Sequence, residues 1–180
     1  MFSLDLPRSK PEPTVGIQLR AFKTLNDAFL AKLAQKVVTE FADKKIELYV
    51  FQNALDMRIS QVFEKMLKKL CPEIQTEIVH SLSQNDFIVK ISRLEYMIAM
   101  RFHAVLVAVK TGVPTIAINY DAKVAKLAYE ACLPLLTISV DEDFEEAFVK
   151  LKELSPQDLL EYSKTKNFDL SLIHISETTR

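Results

Sequence analysis

Apolar residues at Leu30, Leu33, Ala34, Val37, Val38 and Phe41 recur at the i, i+3, i+4, i+7 spacing of an amphipathic helix, with Asn26 or Asp27 placed to cap it. Ile59, Val62, Phe63, Met66, Leu67 and Leu70 repeat the stripe after Asp56. Shorter stripes follow at Phe87, Ile88 and Ile91, at Val124, Leu127, Ala128 and Ala131, and at Phe144, Ala147, Phe148 and Leu151. Between them lie β-rich runs of strand length: Thr14 to Leu19, Ile46 to Phe51, Thr76 to Val79, Tyr96 to Met100, Thr115 to Ile118 and Leu136 to Ser139. Ala104 to Val109 is apolar all round, which predicts a central buried helix, ended by Gly112 and Pro114.

Strand and helix therefore alternate. The pattern predicts an α/β fold with a doubly wound, mainly parallel, Rossmann-like sheet of about six strands and helices on both faces. Ligands of such sheets bind beyond the carboxyl ends of the strands. The residues there are polar: Arg20 after the first strand, Gln52 and Asn53 after the second, His80 and Ser81 after the third, Arg101 and His103 after the fourth, and Asn119, Tyr120 and Asp121 after the fifth. With strand order 3-2-1-4-5-6 the crevice falls between strands one and four, flanked by Arg20 and Arg101. Arg101 and His103 also occupy the first turn of a helix, where the macrodipole disfavours cations by about 0.3 to 1 kcal/mol each, a conflict that a bound anion would remove. Guanidinium groups grip carboxylate or phosphate bidentately and a helix N-terminus offers free N–H donors, so a small, multiply anionic ligand is expected.

Plainer readings stand beside this one. An arginine at a strand end is often half of a structural ion pair. Gln52 and Asn53 can equally cap the next helix, and Asp56 reads as an N-cap rather than an acid catalyst. Asp121 suits a cap, leaving Tyr120 and Lys123 to reach the cleft. His80 is a ligand or a half-exposed turn residue, and Cys71 and Cys132 pack as small apolar groups.

Composition narrows the function classes. A chain of 180 residues makes one domain, and 49% apolar with 26% charged residues marks a globular protein. A net charge of -1 gives no bulk field for nucleic acid, and no apolar run approaches the length of a membrane span. Residues 1–13 lack the apolar core of a secretory signal, so a cytoplasmic location is expected. Two cysteines and three histidines at unrelated spacings suggest no metal, and only two glycines, Gly16 and Gly112, exclude the G-x-G-x-x-G and Walker phosphate loops. Pro7 to Pro13 has linker composition. The expected organisation is a leader over 1–13, a Rossmann-like domain over 14–169 and a non-native tail over 170–180, because the stretch from Leu170 resembles a translated sequencing adaptor.

Three blocks in order, Met100-Arg101-Phe102-His103-Ala104, Thr111-Gly112-Val113-Pro114 and Ile118-Asn119-Tyr120-Asp121-Ala122-Lys123-Val124, resemble the signature of polysaccharide pyruvyl transferases. Gly16 to Arg20, and Phe51-Gln52 with Asp56, resemble strands of the same family's C-terminal half, so the likeness covers Thr14 to Leu151. The resemblance implies one half of a GT-B-like enzyme that moves the enolpyruvyl unit of phosphoenolpyruvate onto sugar hydroxyls as a ketal. It implies Arg20 and Arg101 on the donor's anionic groups and His103 near its reacting carbons. It also implies a saccharide acceptor, a separate N-terminal domain and no resident cofactor. Two other readings keep the architecture: the nucleotide-sugar half of a glycosyltransferase or epimerase, and a noncatalytic anion-binding domain.

Overall fold

The structure is a computed structural model that describes residues 10–139 and 143–165. Its centre is a six-stranded sheet in the order β3-β2-β1-β4-β5-β6, parallel throughout. The strands are β1 (Thr14–Gln18), β2 (Lys45–Tyr49), β3 (Thr76–Val79), β4 (Tyr96–Ala99), β5 (Thr115–Asn119) and β6 (Leu135–Thr137). The doubly wound, Rossmann-like architecture expected from the alternation is the one formed, including the strand order. Chain order reverses between β1 and β4, which pair from Val15–Tyr96 to Gln18–Ala99.

The period-two rule sorts the strand residues between two cores. Val15, Ile17, Ile46, Leu48, Ile98, Ile116 and Ile118 face one side, where α1 (Asp27–Phe41), α2 (Arg58–Leu70) and α6 (Phe144–Glu153) contribute Phe29, Phe41, Phe63 and Phe148. Tyr49, Met97, Ala99 and Ala117 face the other, where α3 (Gln84–Ser92), α4 (Phe102–Lys110), α5 (Ala122–Glu130) and α7 (Pro156–Thr165) pack. Residues 104–109 of α4 are all buried, as their uniformly apolar composition predicts. Strands covered on both faces have no polar side to display, which is why they read as continuous apolar runs.

The helix ends follow local chemistry. Asn26 caps α1 by accepting the Phe29 N–H at 2.9 Å, Ser83 caps α3 through Asp86 N–H at 3.1 Å, and Asp121 caps α5 through Lys123 N–H at 2.7 Å. Gly112, at φ +74°, leaves α4 in the left-handed conformation that a glycine adopts without strain, and Leu160 of α7 lies against it. Gly16 serves close approach instead: a Cβ there would collide with Leu94 and press on the Tyr49 ring.

Three elements depart from the sequence pattern. The last strand is Leu135–Thr137 rather than Leu136 to Ser139. A π-helical turn, Asn53–Met57, intervenes between β2 and α2. Helix α7 was not expected at all; it starts at Ser155-Pro156, with the Ser155 hydroxyl accepting Asp158 N–H at 3.3 Å, and buries Leu159. The tail proposed for 170–180 lies outside the described residues, as do 1–9 of the proposed leader. No helix among the described residues is long and apolar enough to cross a membrane.

Candidate anion-binding crevice

Where β1 and β4 end, the side chain of Gln18 spans the gap between them. It is fully buried; its Oε1 accepts the Arg101 N–H at 2.7 Å and the Met100 N–H at 3.2 Å, while its Nε2 donates to the Leu19 carbonyl at 3.1 Å. A buried amide must be satisfied on both ends, and this one does so by tying two strand tips together. Gln18 lies inside the Gly16 to Arg20 block, where nothing local marks its side chain as a bridge to the fourth strand.

Arg101 is the N-cap residue of α4 and makes no capping bond with its side chain. Its guanidinium turns instead toward Asp56. Nη2 lies 2.7 Å from Asp56 Oδ1 and Nε 3.0 Å from Oδ2, a fork-on-fork pair, and Nη2 also donates to Gln52 Oε1 at 3.0 Å. Asp56 is wholly buried, and its Oδ2 additionally accepts the N–H groups of Phe51 at 3.0 Å and Gln52 at 3.2 Å. Two expectations are corrected here. Asp56 is not an N-cap: its acceptor atoms serve the end of β2 and Arg101, and α2 begins at Arg58 without a side-chain cap. Nor is the Arg101 cation left for a bound anion to neutralise, since Asp56 already balances it.

Arg20 differs. Its guanidinium carbon sits 5.6 Å from the centroid of the Tyr120 ring, and Tyr120 in turn meets Phe22 edge to face at 5.4 Å. The Arg20 Nε is buried and has no hydrogen-bond partner among the described residues. An orphaned guanidinium N–H costs free energy unless something accepts from it. Tyr120 thus packs beside the tip of β1, between Arg20 and Phe22. Lys123 is exposed on the first turn of α5, where its N–H is taken by Asp121.

His103 stands half-buried in the first turn of α4, its ring edge to face with Phe102 at 5.8 Å. His80 is exposed, with Nδ1 3.0 Å from the Ser81 hydroxyl. The structure therefore brings Arg101, Gln52, Asp56 and Gln18 into one bonded network and Arg20 with Tyr120 into a second group, both at the tips of neighbouring strands. Chemically the arrangement offers guanidinium donors and a helix N-terminus beside an imidazole, groups that can accommodate an anion.

Comparisons with known proteins agree with the architecture. Among solved structures, a mutant of the Thermobaculum terrenum O-GlcNAc transferase superposes with a TM-score of 0.60 at 13% identity, covering 91% of this chain and 34% of that one. A structure of accessory secretory proteins 1, 2 and 3 from Streptococcus pneumoniae superposes with a TM-score of 0.54 at 20% identity, covering 88% of this chain and 31% of that one. The chain thus spans about a third of the solved chains it resembles, and at these identities the likeness is one of fold. No curated protein matches in sequence. The family profile of polysaccharide pyruvyl transferase matches residues 3–122, a stretch that holds β1, β4 and every member of both crevice groups, so the chain belongs to the polysaccharide pyruvyl transferase family.

Proposed function

We propose that this domain binds phosphoenolpyruvate and acts as the donor half of a transferase that sets a pyruvyl ketal on a saccharide. The observation that carries the reading is Arg20: a guanidinium at the tip of the first strand, braced on Tyr120, with a buried Nε that lacks an acceptor. Family membership supports the transferase class, and the strand-tip geometry supports an anionic donor.

The reaction balances as follows. A proton goes to the methylene carbon of the donor, making the adjacent carbon electrophilic; two acceptor hydroxyls add there in turn, and the phosphate leaves. One hydroxyl proton ends on the new methyl group and the other on phosphate. The chain would supply two things: guanidinium N–H donors that stabilise charge on the phosphate as its bond breaks, and a group that moves a proton. Arg20 and Arg101 fit the first role and His103 the second, with Gln52, Tyr120 and Lys123 along the rim as further contacts. The acceptor saccharide and a second domain belong to the same proposal, as do a cytoplasmic place of action and a role in building a cell-surface polysaccharide.

Calorimetric titration of the full chain with phosphoenolpyruvate, and in parallel with a uridine-diphosphate sugar, tests the reading. Phosphoenolpyruvate is expected to bind, and Arg20→Ala to lose about 1.5–3 kcal/mol of that affinity, the usual worth of hydrogen bonds to a charged group. Arg20 is the cleaner position to vary, because removing Arg101 also strands the Asp56 carboxylate. Preference for the nucleotide sugar would replace the donor assignment. For His103, the expected outcome in an active enzyme is that His103→Gln abolishes the pH dependence of turnover; unchanged turnover and profile would remove its role.

A further inference from the structure

Adjacent residues of one turn reach both arginines of the crevice, Arg101 through its side chain and Arg20 only through the backbone of its neighbour. Ala21 directly follows Arg20, and its N–H donates to the Leu55 carbonyl at 2.7 Å. The next residue, Asp56, holds the Arg101 guanidinium. Both belong to the π-helical turn Asn53–Met57, closed at its start by the Gln52 carbonyl, which accepts the Leu55 N–H at 3.1 Å and the Asp56 N–H at 2.9 Å. Such turns are uncommon and tend to mark functional positions.

We propose that Asp56 is a positioning residue: it selects which edge of Arg101 faces the crevice, and the turn that carries it sets the placement of Arg101 relative to Arg20. The proposal rests on the donor reading above. A free arginine side chain samples many rotamers, and holding it before the ligand arrives removes that entropy from the binding step. Asp56 does this with a fork pair and is itself held by two backbone N–H groups, so the acceptor does not wander. Nε and Nη2 of Arg101 are thereby committed, and among the described residues only Nη1 remains to meet a ligand. Arg20 keeps its Nε uncommitted among the same residues. The two arginines therefore play unequal parts: Arg20 keeps an uncommitted Nε, while Arg101 adds one fixed donor.

The test is a double-mutant cycle on the full chain, with phosphoenolpyruvate as the titrant and thermal melting run on the same samples. Asp56→Asn is expected to weaken binding about tenfold, the scale for removing a group that orients a binding side chain. In an Arg101→Gln background, Asp56→Asn should cost no further affinity while raising the melting temperature, because it removes a buried carboxylate that has lost its cation. Equal affinity for wild type and Asp56→Asn would overturn the proposal and leave the donor reading intact, as would a further loss of affinity in the Arg101→Gln background. Absence of binding by the wild type would refute the donor reading and this proposal with it. Should Asp56→Asn fail to fold, the arginine Nε–H resonances of the wild type decide: on adding phosphoenolpyruvate the Arg20 signal should shift and the Arg101 signal stay. A large shift of the Arg101 signal would mean that it leaves Asp56 on binding, and would overturn the assignment.

Discussion

Asp56 and Glu47 are the buried carboxylates among the described residues, and they are held in opposite ways. Asp56 receives two backbone N–H groups and the rigid fork of one arginine, all at the crevice. Glu47, on β2, receives the Tyr49 hydroxyl at 3.1 Å and the ammonium groups of Lys90 at 2.9 Å and Lys45 at 3.3 Å, which also reach Glu77. Those lysines are a third exposed, on flexible stems, and they serve a pair of acids between them. The first arrangement specifies one geometry. The second neutralises a buried charge with partly exposed lysines and tolerates rearrangement. Planar, preorganised partners make a buried acid a positioning device, whereas mobile point charges make it only a satisfied one.

The largest expected break of that contrast is Arg101→Ala. It leaves Asp56 buried without a cation, and chemical denaturation should register a loss of about 3–5 kcal/mol. Gly16→Ala acts on the other side. The added Cβ displaces Leu94 and the Tyr49 ring that carries the hydroxyl to Glu47, so about 1–3 kcal/mol of stability should go while the Arg101 Nε–H resonance stays in place. Gln18→Leu removes the acceptor of the Arg101 N–H and should cost about 1–3 kcal/mol by the same denaturation measurement.

Smaller effects are expected from the lysine network. Lys90→Met should cost about 1 kcal/mol or less in low salt and less still in high salt, unlike any change at Asp56. The groups around Glu47 also carry a pH dependence. Lys45, mainly through its hydrogen bond, holds the Glu77 carboxyl below its ordinary range. A depressed acid stabilises the fold above its unfolded pKa, and that contribution disappears as pH falls through the carboxylate range, so Glu77→Gln should flatten the acid limb of the stability curve. Burial, reinforced by Glu47, pushes the Tyr49 hydroxyl well above its usual value. A raised tyrosine stabilises below the unfolded pKa and loses that contribution as pH rises past about 10, so Tyr49→Phe should flatten the alkaline limb, read by melting temperature against pH.

Much of the molecule was legible from its residues in order. Hydrophobic periodicity is a local property, so the strands and the longer helices could be read directly, and their alternation leaves few ways to wind a parallel sheet. That was enough to place Arg20, Arg101 and Tyr120 at strand tips and to mark the blocks around Arg101 and Gly112 that resemble the family. Helix α7 escaped because its apolar stripe is short and its start rests on one serine and one proline. What the sequence could not supply were the partners. Asp56 and Arg101 are 45 positions apart and Gln18 and Arg101 are 83, and nothing in the spacing of either pair says that they meet. Asp56 ahead of a helical stripe has the signature of a cap; only the packed sheet brings the Arg101 guanidinium within reach of its carboxylate and turns it into an anchor. The strands and the charged tips follow from the sequence, because propensity and period act over a few residues. Which charges neutralise each other, and which arginine keeps an N–H without a partner, is decided by burial across the β1–β4 crevice, because burial away from water obliges each polar group to find a partner wherever the fold has put one.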